Sequence, residues 1–119
     1  MNSLRLWSYS RCSTCRKALA WLEQRDFLLD VLDITEDPPS RELLEQAMVY
    51  FGKPQPLFNT SGLSYRALGA AAVRAMTDQE ALDALAADGK LIKRPFVACP
   101  DGTFLVGFKL DQWNQAFPD

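Results

Sequence analysis

Histidine is absent from the 119 residues. Catalysis through a Ser/His/Asp or Cys/His pair is thereby excluded, and so is a histidine-ligated metal. Cysteine is scarce. Cys12, Cys15 and Cys99 are the three in the chain, too few for the disulfide framework of a small secreted domain. A zinc knuckle needs a second ligand pair, and only Cys99 remains after Cys12 and Cys15, so no metal site is expected. No apolar run approaches the roughly 18 residues of a membrane span, and the N-terminus lacks a basic region followed by an apolar block. The expectation is therefore a cytoplasmic protein that does not engage membranes. Charge of one sign is missing too: 13 Lys and Arg against 15 Asp and Glu leave a net charge of -2. Without a basic face there is no expectation of direct nucleic-acid binding. Repeats, linkers and low-complexity segments are also lacking. With 48% hydrophobic residues, the chain has enough apolar material for one core, and a single domain over 1–119 is expected.

What the chain does have is Ser10-Arg11-Cys12-Ser13-Thr14-Cys15-Arg16-Lys17, a CxxC between a short apolar run and an amphipathic one. Leu4 to Tyr9 reads as a strand. Cys15, Ala18, Leu19 and Leu22 fall at i, i+3, i+4 and i+7 and draw an apolar stripe along a helix running to about Arg25. The cysteines thus stand where a strand hands over to a helix. The first helical turn offers free N–H groups and partial positive charge, which stabilise an anion. Arg11, Arg16 and Lys17 add positive charge nearby, so Cys12 is expected to ionise below the ~8.5 of a free thiol. Side chains at i and i+3 lie about 5–6 Å apart at Cβ, within reach of disulfide geometry after small adjustments. Cys12 is the expected attacking sulfur and Cys15 the more buried resolving one. The alternative is a pair of buried structural cysteines.

Further along, Phe27 to Ile34 reads as a second strand, giving a parallel β-α-β unit. Ser40 can cap a helix carrying Leu43, Leu44, Ala47 and Phe51 on one face and ending at Gly52. A turn-rich loop over Leu57 to Gly62 precedes a short helix from about Ser64 to Leu68. Ala70 to Val73 is weakly periodic. Thr77 and Glu80 match a capping box for a helix with Ala81, Leu82, Leu85 and Ala86 inward and Gly89 as its stop. Phe96–Cys99 and Thr103–Val106 flank Pro100-Asp101-Gly102 as a β-hairpin. Asp111 can cap a last helix with Leu110, Trp113 and Phe117 on one side. The order is β-α-β, a helical insertion over about 40–90, then β-β-α: an α/β fold with a thioredoxin-like mixed sheet.

Cys12-Ser13-Thr14-Cys15-Arg16-Lys17-Ala18, Leu91-Ile92-Lys93-Arg94-Pro95 and Leu105-Val106-Gly107-Phe108 together resemble the arsenate-reductase-like (ArsC-like) family, which includes the Spx/MgsR regulators. The similarity runs from about Leu4 to Phe117. It implies a thioredoxin-like core in which Arg94 is the family's arginine before a proline. Pro95 is that proline, expected to be cis and to lie beside the reactive cysteine. Arsenate reductases of this family hold the oxyanion with three arginines. Here Arg94 matches one. Ser61 stands at the second position with Arg66 nearby, and only Lys109 is basic near the third. Neither a serine nor an ammonium reproduces a bidentate guanidinium, so a weak arsenate reductase is one expectation.

The leading expectation is a thiol-disulfide oxidoreductase with Cys12, Cys15 and Arg94 as catalytic residues. Arg11, Arg16, Lys93, Pro95 and Lys109 would bind substrate or stabilise the thiolate. The expected substrate is a small thiol or a protein disulfide. No bound cofactor is expected, and glutathione, thioredoxin or glutaredoxin would serve as reductant. The other alternative is an Spx-type redox-sensing regulator whose disulfide alters binding to the RNA polymerase α-subunit, with Gly52 near the corresponding partner surface. Cys99 lies four residues beyond Pro95 on an extended strand, about 13 Å along it at ~3.3 Å per residue, and is expected to be a small core residue rather than a resolving thiol.

Overall fold

The computed structural model describes residues 3–118. The chain forms two compact units, one from the residues up to Asp33 together with those from Arg94 onward, the other from Ile34 to Lys93.

In the first unit, strand β1 (Ser3–Ser8) leads into helix α1 (Ser13–Glu23) and then strand β2 (Leu28–Asp33). β2 lies parallel to β1 with Leu6 opposite Val31. Strands β3 (Phe96–Ala98) and β4 (Phe104–Val106) form the expected hairpin, and β3 runs antiparallel to β1 with Leu6 opposite Val97. The sheet order is β2-β1-β3-β4.

Strand alternation puts Leu4 and Leu6 on one face with Val97 and Leu105. Ala18 and Leu22 of α1 cover that face, along with Trp113 from the last helix, counted below as α6 (Leu110–Ala116). The i, i+3, i+7 spacing of Cys15, Ala18 and Leu22 is what turns the three buried residues of α1 toward the sheet. Trp113 is fully buried, and its indole N–H donates to the Gly107 carbonyl at 3.1 Å. Trp21, Phe108 and Phe117 surround it at ring-centroid distances of 4.9–5.8 Å. Gly107 has φ +72, a conformation that favours glycine, and its N–H bonds the Pro95 carbonyl at 2.9 Å.

The second unit is helical. It holds α2 (Arg41–Phe51), α3 (Leu63–Leu68), α4 (Ala70–Ala75) and α5 (Asp78–Ala87), with single 3₁₀ turns over Gln55–Leu57 and Gly89–Leu91. Ser40 caps α2 by accepting the Leu43 N–H at 3.1 Å. Thr77 and Glu80 form the reciprocal capping box of α5. α2 packs on α5, burying Leu43, Leu44 and Ala47 of one and Ala81, Leu82 and Leu85 of the other. Arg41 links their exposed sides through Asp83 at 2.8 Å and Gln79 at 2.6 Å. Among the described residues no helix is long and apolar enough to cross a membrane.

Two local expectations are corrected. Gly89 does not end α5, which stops at Ala87. Gly89 is buried in the next turn, where a Cβ would collide with the Ile34 carbonyl. Close backbone approach, rather than a helix stop, requires a glycine there. Asp111 does not cap α6. The helix begins one residue before it, Lys109 takes the cap position without a side-chain bond, and Leu110 is exposed. The short helix expected from about Ser64 to Leu68 is present as α3, Leu63–Leu68.

Candidate active site

The end of β1 and the start of α1 place the two sulfurs. Cys12 is the N-cap residue of α1, with extended dihedrals (φ -97, ψ 114), and its side chain accepts the Cys15 N–H at 3.3 Å. A sulfur thus fills the role that a serine or aspartate oxygen usually plays, taking up one of the helix's unpaired donors. A thiolate accepts such a bond better than a thiol does, so the geometry favours ionisation. The Cys12 N–H in turn bonds the Tyr9 carbonyl at 3.0 Å, which fixes the turn between strand and helix. Both cysteines are free thiols; Cys12 is half-buried and Cys15 fully buried.

Partial burial on its own would raise the Cys12 thiol. The Cys15 side chain and N–H outweigh it together with the Arg94 guanidinium, which donates a hydrogen bond and adds its charge, so Cys12 lies below the ordinary thiol value. Cys15 moves the other way, up to about 11. Burial is the main cause, and its hydrogen bond to Cys12 and the neighbouring negative charge add to it, while the Tyr9 backbone and the Ser8 hydroxyl act against it. The pair is therefore asymmetric: one sulfur gives up its proton more readily than an ordinary thiol, and its neighbour is held as a thiol that donates to it.

Arg94 is brought to this place by the strand order. It precedes β3, whose Phe96 pairs with Trp7 beside the end of β1. The Arg94 guanidinium lies over the Tyr9 ring, 4.9 Å from its centroid. Pro95 is buried and its bond to Arg94 is cis, as the family resemblance implied.

The remaining candidates stand as follows. Arg16 donates to the Ser10 carbonyl at 2.8 Å and is exposed, as are Arg11 and Lys17. The cation acting on the sulfur is Arg94. Side chains at the start of a helix fan outward, so closeness in sequence does not bring these three charges onto Cys12. Lys93 belongs to the helical unit, where its N–H bonds the Leu57 carbonyl at 2.7 Å. Lys109 is exposed at the start of α6. Cys99 lies past the far end of β3, where Ala98 pairs with Arg5 rather than with the cysteine end of β1. It packs against the apolar core, and burial with the nearby Asp101 carboxylate pushes its thiol up to about 11.

Ser8 and Tyr9 were not singled out from sequence. The one available signal for Ser8 is a hydroxyl at the third position of the Leu4, Leu6 face. Tyr9 carries none, because its partner Arg94 is remote in the chain.

The ArsC family model matches residues 7–116. YusI of Bacillus subtilis (strain 168), an uncharacterised protein, is 41% identical over 116 residues, or 95% of this chain and 97% of YusI. An arsenate reductase of Rhizobium meliloti (strain 1021) is 33% identical over 95 residues, or 79% of this chain and 67% of that protein. The solved arsenate reductase from Vibrio cholerae superposes with a TM-score of 0.82 at 25% identity, covering 98% of both chains. These likenesses extend over the mixed sheet and its helices, and the fold is of the thioredoxin-like kind. On the match to residues 7–116 and the relatives at 41% and 33% identity, this chain belongs to the ArsC family.

Proposed function

We propose that this protein is a thiol-disulfide oxidoreductase in which Cys12 attacks and Cys15 resolves. The observation that carries this reading is the asymmetry of the pair, an exposed-side sulfur held below the ordinary thiol value beside a buried one pushed up to about 11. In the first step the Cys12 thiolate attacks a disulfide R–S–S–R′. The Cys12–S–R bond forms, the S–S bond of the substrate breaks, and R′S⁻ leaves with the electron pair. In the second step Cys15 attacks Cys12, forming the internal disulfide and releasing RSH. Two electrons have then passed from the cysteine pair to the substrate. An external thiol, glutathione or a thioredoxin or glutaredoxin, restores the dithiol. Arg94 stabilises the thiolate and attracts a substrate bearing carboxylates, such as glutathione disulfide.

The test is exchange with glutathione disulfide. Cys12→Ser is expected to abolish it, and Cys15→Ser to accumulate a mixed disulfide on Cys12 visible by mass. Unchanged exchange in both variants would overturn the proposal.

A second reading, arsenate reduction, is supported by the relatives named arsenate reductase and by Arg94 at the sulfur. Its test is arsenate-dependent oxidation of NADPH in a coupled assay with glutathione and glutaredoxin. A rate equal to that without the protein would remove it.

A further inference from the structure

The sheet has a second face, opposite the one that Ala18 and Leu22 of α1 cover. Strand alternation puts Ser3, Arg5 and Trp7 of β1 on it, and the register completes the rows across the neighbouring strands. Trp7 stands opposite Phe96, and both are buried. Arg5 stands between Asp30 of β2 and Ala98 of β3, and Ser3 stands opposite Leu28. Here the rows are not filled. Ala98 and Ser3 are too small to occupy the space between the longer side chains beside them, and Leu28 is 57% exposed. The result is an open cavity of about 470 Å³ at the start of β1, bordered by Arg5, Leu28, Asp30 and Pro100. That volume falls within the usual range of small-ligand sites. A second cavity of about 350 Å³ shares Ser3, Leu4, Cys99 and Pro100 with it and extends to Phe27 and Phe117. Cys12 follows the opposite end of β1, and neither cavity includes a residue of the thiol site.

Opposite charges directly across two strands ordinarily attract one another into a pair. Arg5 and Asp30 do not form one. Among the described residues neither enters an ion pair or a side-chain hydrogen bond. The Arg5 guanidinium lies instead over the Trp7 ring, 5.4 Å from its centroid. A cation already held against a ring face loses less freedom on meeting a ligand than a loose one does. A guanidinium and a carboxylate thus border one cavity, separated from each other and with apolar surface beside them.

We propose that this cavity binds a small zwitterion with an apolar side chain, an amino acid of the leucine kind. Its carboxylate meets the Arg5 fork, its ammonium meets Asp30, and its side chain rests on Leu28 and the end of β3. A simple anion or a simple cation matches only one of the two charges and is repelled by the other, so the pair selects a ligand that carries both signs. The proposal is independent of thiol exchange, in which none of these residues takes part.

The probe is L-leucine, titrated through the millimolar range into the isotope-labelled, reduced full chain and followed by amide chemical shifts. Saturable shifts at Arg5, Asp30 and Ala98 are expected. N-acetyl-L-leucine lacks the ammonium and L-leucinamide lacks the carboxylate, and each should bind about fivefold more weakly, the size of one charge contact at an open site. Arg5→Met and Asp30→Asn should weaken L-leucine to the same degree. The crossed pairs separate recognition from mere stability: Arg5→Met should not weaken L-leucinamide further, and Asp30→Asn should not weaken N-acetyl-L-leucine further. That pattern supports the proposal. It is overturned by an absence of saturable shifts, by equal binding of L-leucine and both analogues, or by shifts that persist unchanged when Arg5 and Asp30 are both replaced.

Discussion

Arg94 stands over the Tyr9 ring at 4.9 Å while its guanidinium also reaches the Cys12 sulfur. The ring face holds one side of a long, flexible side chain, and the sulfur receives what the guanidinium donates. Removing the cation removes a group that favours the anion, so Arg94→Ala must raise the Cys12 pKa. A hydrogen bond to a charged group is worth roughly 1.5–3 kcal/mol, so alkylation by iodoacetamide at mildly acid pH should slow about tenfold. Arg94→Lys should fall between, because an ammonium is a point charge without the planar fork. Tyr9→Leu keeps the backbone bonds and loses only the ring, and should raise the alkylation midpoint by less than Arg94→Ala does. An alkylation profile that is the same in all four proteins would show that the sulfur does not sense Arg94.

The two high thiols give stability its own pH dependence. Cys15 and Cys99 both lie near about 11 in the folded chain, against roughly 8.5 for a thiol in the unfolded one. Between these values the native state holds protons that the unfolded state has lost, so stability falls as pH rises. Urea midpoints of the reduced protein should therefore decline through this alkaline window, and the decline should be smaller in Cys99→Ala. Cys12 works in the opposite sense. Its lowered value adds stability that is fully present above the unfolded-state pKa and is lost as pH falls through the folded one.

The parts of the fold legible in the sequence are those written in short-range code. The stripe of Cys15, Ala18 and Leu22, the Ser40 cap, the Thr77 and Glu80 box and the turn at Gly102 each need only residues within a few positions of one another. Cys12 as the helix-initiating sulfur follows from the same local pattern. Arg94 could be placed at the site only through the family resemblance, because nothing local says that the segment before β3 ends beside β1. Gly89 shows the converse: a local rule made it a helix stop, whereas the Ile34 backbone, distant in sequence, dictates its lack of a side chain. For Asp111 the local capping signal was overridden, and the helix began two residues earlier than a cap at Asp111 requires, with Lys109 at the cap position. Arg11, Arg16 and Lys17 are the clearest lesson about charge. Net positive charge near a thiol in sequence is easily read, but the direction in which each side chain leaves the helix start is not.

Trp113 separates stability from chemistry. Its indole N–H bonds the buried Gly107 carbonyl at 3.1 Å, and its ring fills the space between Trp21, Phe108 and Phe117. Trp113→Phe leaves that carbonyl without its donor and creates a small void. The unsatisfied group alone costs on the order of 1–3 kcal/mol. Denaturant unfolding should show a loss of about 2 kcal/mol or more, with the Cys12 alkylation midpoint unchanged, since the hydrogen bond and ring contacts of Trp113 go to Gly107, Trp21, Phe108 and Phe117. A shifted midpoint would mean that the Gly107 bond to Pro95 transmits the change to Arg94.

Gly89→Ala tests the close approach in the helical unit. The added methyl would meet the Ile34 carbonyl and carbonyl carbon, with the Pro38 side chain behind them. The atoms in the way are backbone, so they cannot rotate aside as the tip of a flexible side chain would. Overpacking of this kind costs about 3 kcal/mol, at the upper end of its usual range, which for a chain of this size lowers the melting temperature by roughly 10 °C. Because Gly89 lies at ordinary dihedrals and not in the left-handed region, alanine brings no conformational strain of its own. By helix or loop propensity it should even stabilise slightly. The sign of the change therefore discriminates: a loss of several degrees identifies the Ile34 contact as the reason for the glycine, while a neutral or stabilised variant would show that the backbone yields and that the position tolerates a side chain.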